Sequence, residues 1–266
     1  MDVPQQPVGN ARRVLALKIP SEFASSLPTG AAKQAVEALG RRIASDVYRE
    51  GEVMPTEGEL AESLGVSRAT VRDAVKVLSG KRLLRTARRY GTRVRPVDEW
   101  NLIDADVVAW HDPDHPRIRR IFAETTELRS IIEPAAAALA AERASHRQIE
   151  TLLAAAQAMH PAEEDVEALF AADCQFHVTL FDMTGNDVMR QMRQLILTML
   201  RVSYELGVAD ERNGKVSREG HIAVAEAIAA RDPEGARASM AAMLELNRNA
   251  AQRMRPAAAG TARGAT

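Results

Sequence analysis

The chain has 266 residues, 46% of them hydrophobic and 27% charged, with a formal net charge of −1 and a single cysteine, Cys174. That length admits roughly two domains of about 100–150 residues, and one thiol excludes an intramolecular disulfide framework and suits a reducing compartment. No apolar run reaches the roughly 18 residues a membrane helix needs, and the opening MDVPQQPVGN lacks the apolar core of a secretory signal. A cytoplasmic protein with no membrane partner is expected.

Residues 1–30 carry Pro4, Pro7, Gly9, Pro20, Pro28 and Gly30 with little periodicity, and are expected as a flexible arm with at most one packed piece at 14–19. Val36, Leu39, Ile43 and Val47 then recur every three to four residues, predicting a helix from about Lys33 that Gly51 stops. Thr56, followed three places later by Glu59, makes a capping box. The helix it opens carries Leu60 and Leu64 and ends at Gly65. Ser67 caps the next helix, whose Val71, Val75 and Leu78 face inward. Residues 83–94 read as two short strands joined near Tyr90 and Gly91. Helix, helix-turn-helix and β-ribbon together predict a winged helix-turn-helix domain over 31–97.

Charge indicates what this domain touches. Between positions 68 and 95 stand ten basic side chains against one acid, Asp73, whereas 98–266 hold 18 basic and 26 acidic residues. Such a basic block on a helix-turn-helix is a footprint for the phosphates of double-stranded DNA. The second helix of the motif enters the major groove by its N-terminal end, which here offers Ser67, Arg68, Thr70 and Arg72. Arginine is the usual bidentate reader of guanine, and Arg68 and Arg72, four apart, share one helix face. Lys81, Arg82, Arg85, Arg88 and Arg89 are assigned to phosphates or the wing flank. Tyr90 and Gly91 form the ribbon tip, where glycine lets the backbone approach a groove.

Residues 98–116 read as a structured linker in which Trp100 and Trp110 are expected to be packing anchors. From 117 to 256 the pattern is helical, in six segments near 117–143, 147–159, 162–183, 187–206, 218–230 and 233–255. Short loops between them predict an antiparallel bundle, and 257–266 are expected to be a disordered tail. The fold class is therefore mainly α: a winged helix-turn-helix with a small ribbon, followed by an all-α bundle.

Within the bundle, Asp173 and His177 are four apart and stack on one helix face, and His221 opens a later helix. Two imidazoles and a carboxylate suit a first-row divalent cation of the Zn, Ni or Mn type; an ordinary hydrogen-bonded i,i+4 pair is the alternative that spacing leaves open. Cys174 is turned about 100° away from Asp173. An open metal site suits a small carboxylate effector, whose charge wants a guanidinium. Arg129 and Arg201 are the candidates, with Asn186 as a further donor. Arg129 could equally pair with Glu133, and Asn186 could equally cap a helix.

At this point the sequence resembles a known family. PTEGEL at 55–60 and GVSRATVRDA at 65–74 are similar to the DNA-reading motif of the GntR family of bacterial transcription regulators. The bundle resembles the ligand-sensing (FCD) domain of its FadR subfamily, and EWNLIDADVVAW at 99–110 resembles the branch that responds to sugar acids such as galactonate. The resemblance implies a homodimer on a pseudo-palindromic operator, a repressor controlled by a small carboxylate or sugar-acid effector, and a metal at Asp173, His177 and His221. Two departures stand out. Gly58 replaces an arginine that contacts DNA in family members, and the position of a fourth metal-binding histidine falls at about Met243, which leaves three protein ligands. The competing readings are a metal-dependent enzyme using Asp173, His177 and His221, and an architectural DNA-binding dimer without an effector.

Overall fold

The computed structural model describes residues 17, 19, 27–87, 89–112, 114–159, 165–204 and 218–254. The head comprises α1 (Gly30–Ala44), α2 (Glu57–Leu64), α3 (Arg68–Gly80) and the antiparallel ribbon β1 (Leu84–Ala87) and β2 (Gly91–Val94), paired from Leu84 opposite Val94 to Ala87 opposite Gly91. Both caps read from the sequence are present. The Thr56 hydroxyl accepts from the Glu59 amide while the Glu59 carboxylate accepts from the Thr56 amide, and the Ser67 hydroxyl accepts from the Thr70 amide. Gly65 ends α2 at φ 65°, a left-handed conformation that costs glycine little. Val36, Leu39, Ile43, Leu60, Val71, Ala74, Leu78, Leu83 and Leu84 fill the core beneath.

The first helix stops earlier than its periodicity predicts. It ends at Ala44, and Val47 is 60% exposed. Asp46 takes a left-handed φ of 59°, and its carboxylate is claimed by Arg117 at 2.7 Å and His115 at 3.1 Å. An ion pair to the far end of the linker thus outweighs one more turn of helix. Gly51 is not the stop either: its amide donates to the Val94 carbonyl, so it belongs to the edge of the ribbon.

The linker contains a 3₁₀ turn (Val97–Glu99) and the short α4 (Ala105–Ala109), and both of its tryptophans are buried in the head core. Trp110 lies flat on Gly40, where a side chain's first carbon would come 2.5 Å from the ring. Gly40→Val is therefore expected to destabilise the protein by about 1–3 kcal/mol or more; an unchanged thermal midpoint would show that the contact is dispensable. Lys81, assigned from sequence to phosphate, is instead only 11% exposed and held at 2.7 Å by both Asp104 and Asp106 at the start of α4. Its charge is spent on fixing the linker to the head. On α4, Val107 enters the head core, while its neighbour Val108 enters a separate cluster with Ile118, Phe122, Val202 and Ala251.

The bundle comprises α5 (Pro116–Arg143), α6 (His146–Gln157), α7 (Val166–Met183), α8 (Asp187–Gln191), α9 (Arg193–Ser203), α10 (Arg218–Ala229) and α11 (Pro233–Met254). Helices α5 and α11 pack along one another, α10 packs on both and on α6, and α7 sits against α5, α6 and α9. Most of α7 is buried from Leu169 onward, as expected of a helix apolar on nearly every side. The single helix predicted over 187–206 is broken at Met192, where the Arg193 guanidinium donates to the Arg190 carbonyl and pairs with Asp182 at 2.7 Å. Leu17 is buried in the bundle core with Ile19 packed against it, and at the end of the predicted arm Leu27 packs on the head core and Thr29 stands at the N-cap of α1; positions 1–16, 18 and 20–26 of the arm, and the tail at 257–266, lie outside the described residues. Among the described residues, no helix is long and apolar enough to cross a membrane.

Candidate functional site: a DNA-reading helix and a buried charge cluster

The N-terminal end of α3 is open to solvent. Ser67, Arg68 and Arg72 are exposed and Thr70 is half-buried. The Ser67 and Thr70 hydroxyls lie 2.9 Å apart, and the amide of Thr70 donates to Ser67, so both serve the cap. Arg72 forks onto Glu57, with Nη2 2.7 Å and Nε 3.1 Å from Oε2. This bridge between α2 and α3 holds the two helices in register and presents Arg72 at a set angle. Arg68 lies over Gly58, whose missing side chain leaves room for the guanidinium, with Nη2 3.2 Å from where a first carbon would be. The departure at Gly58 thus has a use: it gives Arg68 a resting place at the reading end. At the ribbon tip, Tyr90 is 71% exposed, and Gly91 has φ 76° with Val53 packed close to it. Arg85, Arg89 and Arg93 are exposed beside them, whereas Arg95 turns inward to Glu99 at 2.6 Å.

The second feature is in the bundle interior. Asp173 and His177 on α7, and His221 on α10, each offer a ligand atom within 4.8 Å of the others, and all three are buried. Asp173 Oδ1 is 3.2 Å from His177 Nε2 and 3.3 Å from His221 Nε2. The tyrosine that ends α9, Tyr204, donates to Asp173 Oδ2 at 3.0 Å. On α5, Glu133 reaches His177 Nδ1 at 3.2 Å with one oxygen and accepts from Arg129 Nε at 2.6 Å with the other. Phe176 meets the His177 and His221 rings edge-on, walling the cluster with hydrocarbon.

These partners set the charge states. Burial alone would raise the Glu133 carboxyl, but Arg129 and then His177 outweigh it and hold the pKa at about 2. Asp173 is likewise raised by burial and lowered further by the His177 and His221 imidazoles, ending well below the usual carboxylate range. Burial lowers His177, yet Glu133 and Asp173 more than reverse this, to about 9. In cation-free protein the stabilisation from protonated His177 is therefore complete below its ordinary 6.5 and is lost as pH rises through about 9. A divalent cation, which needs neutral imidazole, is expected to raise the melting temperature more at about pH 9 than at about pH 6. Equal shifts at the two pH values would argue against a cation on His177.

The donor set fits a divalent cation on one structural observation. Asp173 Oδ1 and His177 Nε2 are fully buried and, among the described residues, neither has a hydrogen-bond partner; they are close but not aligned to bond each other. Buried polar atoms are nearly always satisfied, and a cation between them would satisfy both. Glu133 Oε2 lies 3.2 Å from His177 Nδ1, where a carboxylate would stand to orient an imidazole that held a cation. Cys174 next door is buried, and burial together with the Asp173 charge pushes its thiol up, so it offers no thiolate.

Sequence reasoning brought Asp173, His177, His221 and Arg129 to one place, and the structure does so too. It left Glu133 as an alternative ion-pair partner and missed Tyr204. The available signal was an acid inside the apolar run IIEPAAAALA: a carboxylate there has to be buried and so has to be paired. Asn186 falls outside the cluster. It is exposed, and its side-chain oxygen accepts from the Val188 and Met189 amides as the cap of α8. Arg201 is half-buried one turn before Tyr204, and Met243 packs against the bundle core.

An exposed basic reading helix joined to an all-α domain with a buried ligand-type cluster defines the class of one-component, ligand-sensing DNA-binding regulators. Comparison with known proteins agrees. Residues 31–94 match the model for bacterial regulatory proteins of the gntR family, and residues 124–246 match the FCD domain. The chain belongs to the GntR family and carries an FCD domain; it is a DNA-binding transcriptional regulator, and the family is one of regulators, not enzymes. It is 31% identical over 215 residues to the galactonate operon transcriptional repressor of Escherichia coli K12, covering 79% of this chain and 91% of that one. It is also 31% identical over 205 residues to the HTH-type transcriptional repressor NanR of Salmonella newport, covering 75% and 77%. A solved structure described as Lar, which controls the expression of the Listeria monocytogenes agr system, superposes with TM-score 0.63 at 21% identity, over 86% of this chain and 99% of that one.

Proposed function

We propose that this regulator is a cytoplasmic, homodimeric repressor released from a pseudo-palindromic operator by a small carboxylate, of the sugar-acid type, bound in the Asp173–His177–His221 cluster. The observation that carries the reading is the buried, unsatisfied donor set at Asp173 and His177, with Arg129 and Glu133 behind it. Asp173, His177 and His221 would hold a divalent cation, which supplies electrostatic attraction for an acid's oxygens. Arg129 supplies the guanidinium, Glu133 fixes both Arg129 and His177, and Tyr204 fixes Asp173. The likeness to repressors of galactonate and NanR type supports repression and a sugar acid.

The linker supports a route to DNA. Trp110 against Gly40 and Lys81 against Asp104 and Asp106 make the linker part of the head, so a shift of α9 would reach α3 through Val202, Val108 and Val107. Val202 is two residues from Tyr204, which bonds the cluster itself.

Arg68 is the residue expected to read a base. Arg68→Ala should cost about 1–3 kcal/mol of operator binding and relax specificity at one position; a uniform loss over all sequences would assign it to phosphate. The functional reading is tested by fluorescence anisotropy on an operator selected from random DNA, titrated with six-carbon aldonates in the presence of Mn²⁺ or Zn²⁺. Release of the operator, by roughly 5–150-fold in affinity, is expected; no change with any acid that binds would reject it.

A further inference from the structure

Among the described residues, the buried side chains of Asp, Glu, Lys and Arg are Arg129, Glu133 and Asp173, and no others. All three sit in one cluster: Arg129 bonds Glu133 at 2.6 Å, and Glu133 and Asp173 each lie 3.2 Å from a nitrogen of His177. These three side chains contribute two negative charges and one positive to the interior of the bundle. Imidazoles that bind a cation are neutral, so with a divalent ion in place the two carboxylates, the guanidinium and the ion sum to one positive charge. An uncompensated charge in such a place is strongly unfavourable.

A second observation stands beside the charge count. Arg129 Nη1 and Thr126 Oγ1 are both buried and, among the described residues, have no hydrogen-bond partner. Thr126, Arg129 and Glu133 are spaced by three and four along α5 and so form one stripe of that helix. Two unsatisfied groups on the stripe that carries Glu133 into the cluster form a polar track: a guanidinium N–H for an anionic oxygen and a hydroxyl one turn away.

We propose that the site selects a hydroxylated acid bearing a single negative charge, with Arg129 Nη1 donating to its carboxylate and Thr126 Oγ1 bonding one of its hydroxyls. The inference rests on the reading of the cluster as a cation-dependent acid receptor and goes further by fixing the ligand's charge and naming Thr126 as a specificity residue. A monoanion brings the loaded site to neutrality. A dianion leaves one buried negative charge, and a neutral polyol leaves one positive.

Three probes with the same six-carbon skeleton separate these cases: galactonate, galactarate and galactitol, titrated calorimetrically into full-length protein loaded with one equivalent of Mn²⁺ or Zn²⁺. Galactonate is expected to bind at least about tenfold tighter than galactarate, with galactitol giving no heat. Galactarate binding as tightly as galactonate would overturn the charge rule and leave the receptor reading standing. Normal cation binding with no heat from any acid, hexanoate included, would remove the receptor reading itself. For Thr126, the isosteric Thr126→Val is expected to weaken galactonate by about tenfold, to leave hexanoate unchanged, and to keep or raise the melting temperature, since it deletes an unbonded hydroxyl. Equal loss for both acids, or a lowered melting temperature, would make Thr126 structural.

Discussion

Replacing Glu133 by alanine is expected to lower the stability of the cation-free protein by about 3–5 kcal/mol, the largest single loss in the bundle outside its apolar core. Glu133 is fully buried and neutralises Arg129, which is 2% exposed, through a 2.6 Å contact. With the carboxylate gone, Arg129 cannot shed its proton, so a guanidinium is left buried without its counter-charge. Glu133→Gln retains an acceptor for Arg129 Nε and should lose less. Arg129→Met with Glu133→Gln removes both charges and should recover much of the deficit, because replacing a whole buried pair costs far less than breaking one. Chemical denaturation measures all three. A Glu133→Ala protein as stable as the parent would mean that the pair is solvated in solution, and the charge argument would lose its base.

The second large effect is expected at His177. His177→Ala removes the central nitrogen donor, which is 3.2 Å from Asp173 on one side and 3.2 Å from Glu133 on the other. Loss of cation-dependent stabilisation is expected, which for wild type at a cation concentration of 100 times Kd amounts to about 2.7 kcal/mol. Operator affinity without acid should be nearly unchanged, since the reading helix α3 has its own core of Val71, Ala74 and Leu78. Thermal melts with and without Zn²⁺, paired with anisotropy on DNA, read both. Retention of the full metal-dependent shift would move the cation elsewhere.

Much of this was legible in the sequence because local rules decided it. The caps at Thr56 and Ser67 are side-chain-to-backbone bonds within three residues, and the i,i+4 spacing of Asp173 and His177 forces them onto one face whatever packs against it. Misreadings came where distant partners decided. Val47 continues the heptad-like spacing of α1, but Asp46 is captured by Arg117 from 71 residues away. Lys81 counts as a basic residue in the DNA block, yet Asp104 and Asp106 draw it into the head–linker junction. The break at Met192 likewise coincides with Arg193 pairing with Asp182 on α7. Tyr204 reaches Asp173 across 31 residues, a contact that no periodicity announces.

Linkage offers the most direct test of a receptor wired to a reading head. Acid affinity is measured by calorimetry on the cation-loaded regulator, once free and once saturated with its operator. If the acid and the DNA favour different arrangements of the same protein, each must weaken the other by the same factor. The account predicts an acid affinity reduced on the operator complex, by the factor through which the acid lowers DNA affinity. Equal acid affinities for free and operator-bound protein would contradict it.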